Sequence, residues 1–248
     1  MVTSSSSTPV ILRATARHRV AVHYAVAPDR LASRLPDGLR PATRDGRAYV
    51  GLVGIQLMDV RVLGLSGYGF RRVPAVELQG LVQRRGGGAA SRGALTMQAF
   101  VPRRLVAWAA RGLYGESVAV ASMQPVWKER PDEVEITYRF DRAGREQRLR
   151  VVAETPPVAP APGTAAQFLQ DRHWRYGSRD DEDTDALTRA RMERPAGPLY
   201  RVQAHHVTVR WASAFGEAWA FLDDRSPEVV LCDPGGEIVL HWRESVRK

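Results

Sequence analysis

The chain has 248 residues, 44% hydrophobic and 25% charged, the composition of an ordinary globular protein with enough apolar mass for a full core. No run approaches the roughly 20 apolar residues that span a bilayer, and the opening Met-Val-Thr-Ser-Ser-Ser-Ser-Thr has neither the basic nor the apolar region of a secretory leader, so a cytoplasmic protein without a membrane partner is expected. The net charge is +9, yet its arginines fall in short pairs beside turns (Arg71-Arg72, Arg84-Arg85, Arg103-Arg104), with no basic run, so nucleic acid is not expected as a partner.

Residues 1–10 are Ser/Thr-rich without periodicity and read as a disordered tail; residues 11–248 read as a single domain. Arg19 to Val26 alternates, with His23 opposite Val20, Val22 and Tyr24, as a half-buried strand does. Pro28 to Leu35 suits a short helix closed by Pro36. Strand patterns follow at Ala48 to Val62, Ala75 to Gln83 and Gly93 to Val101, parted by glycine-rich breaks. Arg103 to Leu113 favours a helix with Leu105, Trp108 and Ala109 on its inner face. Strands resume at Val118 to Trp127, Glu133 to Phe140 and Gln147 to Ala153. Thr155 to Gly163 reads as a stiff, proline-rich surface crossing, with Lys128 in an earlier polar turn. A short helix at Thr164 to Arg172, an acidic loop at Asp180 to Asp183 and strands at Tyr200 to Trp211, Val229 to Cys232 and Glu237 to Trp242 complete the chain. The acidic loop lacks the glycine and closing glutamate of a calcium loop. The lone Cys232 reads as a buried, inert thiol.

Several segments, in order, resemble the uncharacterised YqjF-like family, DUF2071. They are His23-Tyr24-Ala25-Val26, Leu35-Pro36-Asp37-Gly38-Leu39, Asp45 to Val53, Val76-Glu77-Leu78, Ala110 to Tyr114, Phe168 to Tyr176, and Leu199 to Val202 with His205-His206 before Trp211. Leu81 stands where the family's strand carries an arginine. The resemblance implies kinship with acetoacetate decarboxylase, hence an α+β, β-rich fold: a partly open barrel of antiparallel strands with a few short helices around an apolar pocket. That enzyme's Schiff-base lysine has no counterpart here. The matching stretch offers Tyr114, and only Lys128 and Lys248 are lysines.

Alternation in the strand Ala75 to Gln83 sets Glu77, Gln79 and Leu81 on the face opposite Val76, Leu78 and Val82. A pocket-facing Glu77 is either a general acid/base or one half of a buried ion pair with an arginine such as Arg111 or Arg139. Tyr114 offers a phenol to the same chemistry or is a core aromatic, and Arg111 binds a carboxylate or caps its helix. His205 and His206 point to opposite strand faces, so both cannot reach one metal. The expected function is binding, with acid/base conversion open, of a small hydrophobic or carboxylate-bearing molecule. Glu77 and Tyr114 are the catalytic candidates, and Arg111, His206, Gln79 and Arg139 the binding candidates. No cofactor or metal is expected. The alternative is a non-catalytic ligand-sensing or interaction protein, and a homo-oligomer is left open.

Overall fold

A computed structural model describes residues 8–67, 70–181, 184–194 and 196–246, without the side chains of Tyr114 and residues 178–186. Its strands are β1 Val10–Val26, β2 Leu39–Pro41, β3 Thr43–Arg44, β4 Arg47–Val62, β5 Leu65–Ser66, β6 Arg72–Arg84, β7 Arg92–Val101, β8 Val118–Val120, β9 Met123–Glu129, β10 Glu133–Arg142, β11 Arg145–Val158, β12 Trp174–Asp181, β13 Thr184–Glu193, β14 Leu199–Thr208, β15 Val229–His241 and β16 Glu244–Ser245. Four short helices join them: α1 Pro28–Ala32, α2 Arg104–Tyr114, α3 Ala165–Gln170 and α4 Trp211–Phe215.

The long strands pair in the order β13-β12-β7-β6-β4-β1-β15. β13 then touches β15 through two residue pairs, Met192 with Leu240 and Glu193 with Val239. This row therefore curls round a lumen, and so brief a seam leaves it short of a closed barrel. Pairings of β7 with β8 and with β12 are parallel, so the sheet is mixed, and each needs a long crossover, the first carrying α2. One pair, Tyr200 with Cys232, links β15 to a second row, β14-β11-β10-β9.

The main core lies between the outer face of the curled row and this second row. Val22, Leu52, Leu78 and Phe100 meet Ile136, Tyr138, Phe140 and Leu149, with Trp211 at one end. Both faces of β4 and β6 are thus buried, one in this core and one in the lumen, which explains their near-continuous apolar runs.

Bulges decide which residues face the lumen. Along the start of β1 the inward residues are Leu12, Ala14 and Ala16. The register against β4 shifts between Arg17 and Val20, and His18 adopts φ 49°. Past that bulge the parity inverts: Arg19 lines the lumen, while Val20, Val22 and Tyr24 enter the main core. β4 repeats the device at Asp59, φ 50°, so that Val53, Ile55 and Leu57 before it and Val60 and Val62 after it all face inward.

Several expectations need correcting. Leu105 and Trp108 are 57% and 73% exposed; the lumen face of α2 is Val106, Ala109, Ala110 and Leu113, the i, i+3, i+4, i+7 stripe. Small alanines carry the inner face, so the bulky pair misdirects a reading by size. Val118 to Trp127 is two strands, and Lys128 lies in β9 opposite Glu135, with no turn there. β11 runs on to Val158, through the first prolines of the expected connector. Trp211 does not end a strand but opens α4, its N–H donating to Asp223 Oδ1 at 2.8 Å. Val229 to His241 is one strand. The hairpin β12–β13 was not foreseen: it is arginine-rich and poor in β-branched residues, and its position comes from pairing with β7. Of the expected acidic loop, Asp180 and Asp181 end β12, and residues 182–183 lie outside the described residues.

Gly54 of β4 lets the second row approach: a Cβ there would fall 2.4 Å from the Tyr138 ring. The Tyr138 hydroxyl in turn donates to the His18 carbonyl at 2.9 Å, fastening the β1 bulge. Gly54→Ala should cost about 1–3 kcal/mol through overpacking, read as a lowered midpoint in thermal unfolding followed by circular dichroism; an unchanged midpoint would show that this contact is slack.

Candidate functional site in the lumen

The lumen holds a cavity of about 160 Å³. Most of its wall is aliphatic, with Ile55, Leu57, Val73, Val101, Ile238 and Leu240 from four strands and the small stripe of α2 closing one side. Among the described residues its polar side chains are Arg19, Glu77, Gln79, Glu116, Arg172, Arg175 and Arg194. An apolar sleeve with a few convergent polar groups is the usual form of a small-molecule site.

Each polar group is placed by a local feature. Glu77 and Gln79 sit two apart on β6, hence on one face. Arg19 follows the β1 bulge. Helix α2 ends at Gly115, whose φ of 62° is the left-handed conformation that glycine adopts without strain, with its N–H on the Arg111 carbonyl. The chain then turns Glu116 inward before β8. Helix α3 is capped by the Thr164 side chain and anchored by buried Leu169, and Arg172 follows it directly. Arg175 is the second residue of β12 and faces inward, whereas Trp174 and Tyr176 pack with Leu39 and Leu187 on the other side.

These side chains form two bonded clusters, one running from Glu116 to Arg172 and one around Asp233. Arg175 grips Glu116 with two nitrogens, Nη2 to Oε2 at 2.8 Å and Nε to Oε1, and the same Nη2 reaches Glu77 Oε1 at 3.2 Å. The Gln79 amide donates to Glu77 Oε2, and its oxygen accepts from Arg172 Nη1 at 2.9 Å. Arg19 Nη1 meets Asp233 Oδ2 at 2.7 Å, and Arg194 Nη1 approaches the same oxygen at 3.6 Å. Four guanidiniums thus face three carboxylates. Arg172 is the one left over: among the described residues no carboxylate lies within salt-bridge distance of it, and its Nε has no partner.

Burial, with the charges of Arg19 and Arg194, holds Arg172 well below the ordinary arginine range, although a guanidinium remains a cation at neutral pH. Burial alone would raise the Glu77 carboxyl; the Arg175 charge and hydrogen bond, the Gln79 amide and the Arg172 charge outweigh it and hold Glu77 below its ordinary 4.5. For Glu116 burial prevails over Arg175, and the neighbouring charge of Glu77 adds to it, so this carboxyl lies above 4.5. His23, on the same face of β1 as Arg19, is buried with Nδ1 unpartnered; burial, then Arg172 and Arg19, push it well below 6.5, so it is neutral at pH 7.

Of the residues singled out in the sequence, Glu77 and Gln79 line the cavity, and the ion-pair partner of Glu77 is Arg175 rather than Arg111 or Arg139. Arg111 is exposed and donates through Nε to the Val118 carbonyl at 2.7 Å, tying the end of α2 to β8. Arg139 is half-buried on β10 and His206 is exposed on β14, where it bonds Thr208 at 2.8 Å; both belong to the second row, away from the lumen. The side chain of Tyr114 lies outside the described residues. Arg172, Arg175 and Glu116 escaped notice, though two of them fall within the segment Phe168 to Tyr176. Two arginines bracketing His173-Trp174 beside a helix end was the available signal.

Cutting Arg175 from the network should leave two buried carboxylates without their cation. Arg175→Leu is expected to cost about 3–5 kcal/mol at pH 7, measured by urea unfolding. The wild-type contribution of Glu77 is present above 4.5 and is lost as pH falls through its lower folded value, whereas the variant's carboxyls gain protons readily, so the penalty should shrink at pH 4. A penalty equal at both pH values would contradict this electrostatic assignment.

Comparison with known proteins bears on the fold. No curated protein matches the chain in sequence. The fold is similar to the enduracididine biosynthesis enzyme MppR with HEPES bound, at 15% identity and a TM-score of 0.66, over 98% of this chain and 90% of that one. It is similar to an acetoacetate decarboxylase-like enzyme from Sphingomonas wittichii RW1, at 14% identity and 0.62, over 100% and 97%. It is also similar to acetoacetate decarboxylase from Legionella pneumophila, at 12% identity and 0.66, over 96% and 88%. At such identities the likeness concerns the fold alone. The family model described as an uncharacterized conserved protein, DUF2071, matches residues 13–236, and with nine-tenths of its length so matched, the chain belongs to the DUF2071 family.

Proposed function

We propose that this protein binds, in the lumen, a small monoanion with a carboxylate head and an apolar body, and converts it by acid/base chemistry without an imine. The observation that carries this reading is Arg172: a buried cation on the cavity wall, with an unpartnered nitrogen and no carboxylate of its own. A ligand carboxylate supplies the missing charge, and two-pronged hydrogen bonding is what a guanidinium offers it. The body is sized by the sleeve. A cavity on the order of 150 Å³ takes a benzene ring, so about six carbons fill this one. MppR, whose fold is similar, has been crystallised with pyruvate, a small carboxylate of the same class.

Imine chemistry requires an amine at the reacting carbon. Lys128 lies on β9, the outer edge of the second row, and is exposed; Lys248 lies outside the described residues. Glu77, ionised at neutral pH and fixed by two donors, is the base of the proposed chemistry, and Gln79 joins it to the anion-binding Arg172.

Titration calorimetry with hexanoate and hexanamide tests the anion site. Hexanoate should bind at least about tenfold more tightly than the amide, and Arg172→Met should abolish that preference, as a hydrogen bond to a charged group is worth roughly 1.5–3 kcal/mol. Equal affinity for acid and amide, or a variant that keeps the preference, would reject the assignment.

A further inference from the structure

The carboxylate proposed for the ligand supplies one missing charge, but the cavity wall offers more free donors than that carboxylate uses. The cluster running from Glu116 to Arg172 holds two guanidiniums and two carboxylates; the one around Asp233 holds two guanidiniums, Arg19 and Arg194, and one carboxylate. One negative charge completes the site, and a dianion overshoots it. Arg172 gives Nη1 to the Gln79 oxygen, and its Nε is buried without a partner. The edge formed by Nε and Nη2 is therefore the one that takes both oxygens of a carboxylate. Arg19 is 3% exposed, with Nη1 held by Asp233 at 2.7 Å. Its Nη2 is buried as well, and among the described residues it too has no partner. Both arginines line the same cavity, and of the neighbouring charges that of Arg19 acts most strongly on Arg172. A buried N–H without an acceptor carries the full cost of its desolvation, so a ligand that supplies the acceptor is favoured.

We propose that Arg19 is a specificity-determining residue of the lumen and that the ligand is a hydroxy or oxo monocarboxylate whose second oxygen accepts from Arg19 Nη2. This rests on the lumen being a carboxylate site. With the carboxylate on Arg172, an uncharged oxygen on C2 or C3 satisfies Nη2 without adding charge. A plain fatty acid leaves that donor unmade, and a second carboxylate satisfies it at the expense of an uncompensated negative charge in a dry site. The β1 bulge at His18, which turns Arg19 inward, thereby selects the class of ligand as well as the shape of the wall.

Titration calorimetry compares hexanoate with 2-hydroxyhexanoate, 3-hydroxyhexanoate and 2-oxohexanoate, which share the chain that suits the sleeve. At least one of the three should bind at least about tenfold more tightly than hexanoate, the scale of one hydrogen bond to a charged donor, and the arm that gains identifies the oxygen. Butylmalonate, the same chain with a second carboxylate on C2, should bind more weakly than that best ligand. The double variant Arg19→Met/Asp233→Leu removes one charge of each sign and keeps the excess of one cation. It should bind hexanoate within about threefold of wild type, while the advantage of the oxygenated acid falls below about threefold. Should it fail to fold by circular dichroism, Arg19→Met alone, which leaves Asp233 beside Arg194, should lose the same advantage. No gain in wild type from any of the three acids, butylmalonate bound most tightly, a folded variant that keeps the gain, or a double variant that loses hexanoate as well would overturn the role of Arg19 and leave the carboxylate site standing. Wild type binding hexanoate no better than hexanamide would overturn both.

Discussion

The burial of four guanidiniums in an otherwise aliphatic lumen is the constraint on which the rest of this structure depends. Removing a charged group from water costs several kcal/mol even after relaxation, and only close opposite charge and full hydrogen bonding offset it. Glu77, Glu116 and Asp233 offset three of the four, and the network runs unbroken from Glu116 through Arg175, Glu77 and Gln79 to Arg172. The fourth, Arg172, has no carboxylate within ion-pair distance among the described residues and hydrogen-bonds the Gln79 amide oxygen. A polar cluster so dependent on geometry requires a rigid frame, and the lumen is framed by strands buried on both faces, with the main core pressing on their outer side. The proposed chemistry follows from the same imbalance: a site short of one negative charge is prepared for an anion.

The frame in turn depends on two bulges. Without the inversion at His18, the alternation that sends Leu12, Ala14 and Ala16 inward would turn Arg19 away from the lumen and Val20 into it. A one-residue slip flips every later side chain to the other face. The Tyr138 hydroxyl on the His18 carbonyl and the ring of Tyr138 over Gly54 join that bulge to the second row, so this side chain ties the main core to the strand that carries Arg19.

Much of this was legible in the sequence. Period-2 alternation placed Glu77 and Gln79 together on one face of β6, and strand patterns located β4, β6, β7, β10 and β11. What stayed hidden depends on tertiary placement. Arg172 and Arg175 look like any of the many solvated arginines of a basic chain, and only the parallel pairing of β12 with β7 brings them under the lumen. Glu116 stands in a turn, where no periodicity speaks for it. Leu105 and Trp108 misled because hydrophobicity fixes a helix's buried face only when the opposing wall accepts bulk, and here it accepts alanine. Arg111 was read as capping its helix or binding a carboxylate, and its hydrogen bond to the Val118 carbonyl instead secures the turn that holds Glu116.

Within the DUF2071 family this chain keeps the acetoacetate decarboxylase-like frame without a lysine among the described residues that line its lumen. The account stands or falls on what occupies the lumen and which way round. A crystal soaked with 6-bromohexanoate answers both, since bromine is located by its anomalous scattering. The account predicts a bromine peak in the aliphatic sleeve near Leu57 and Val101, with the carboxylate within hydrogen-bond distance of Arg172. A ligand bound with bromine at the arginines and its carboxylate in the sleeve, or a lumen still empty while bromine binds elsewhere on the surface, would contradict it.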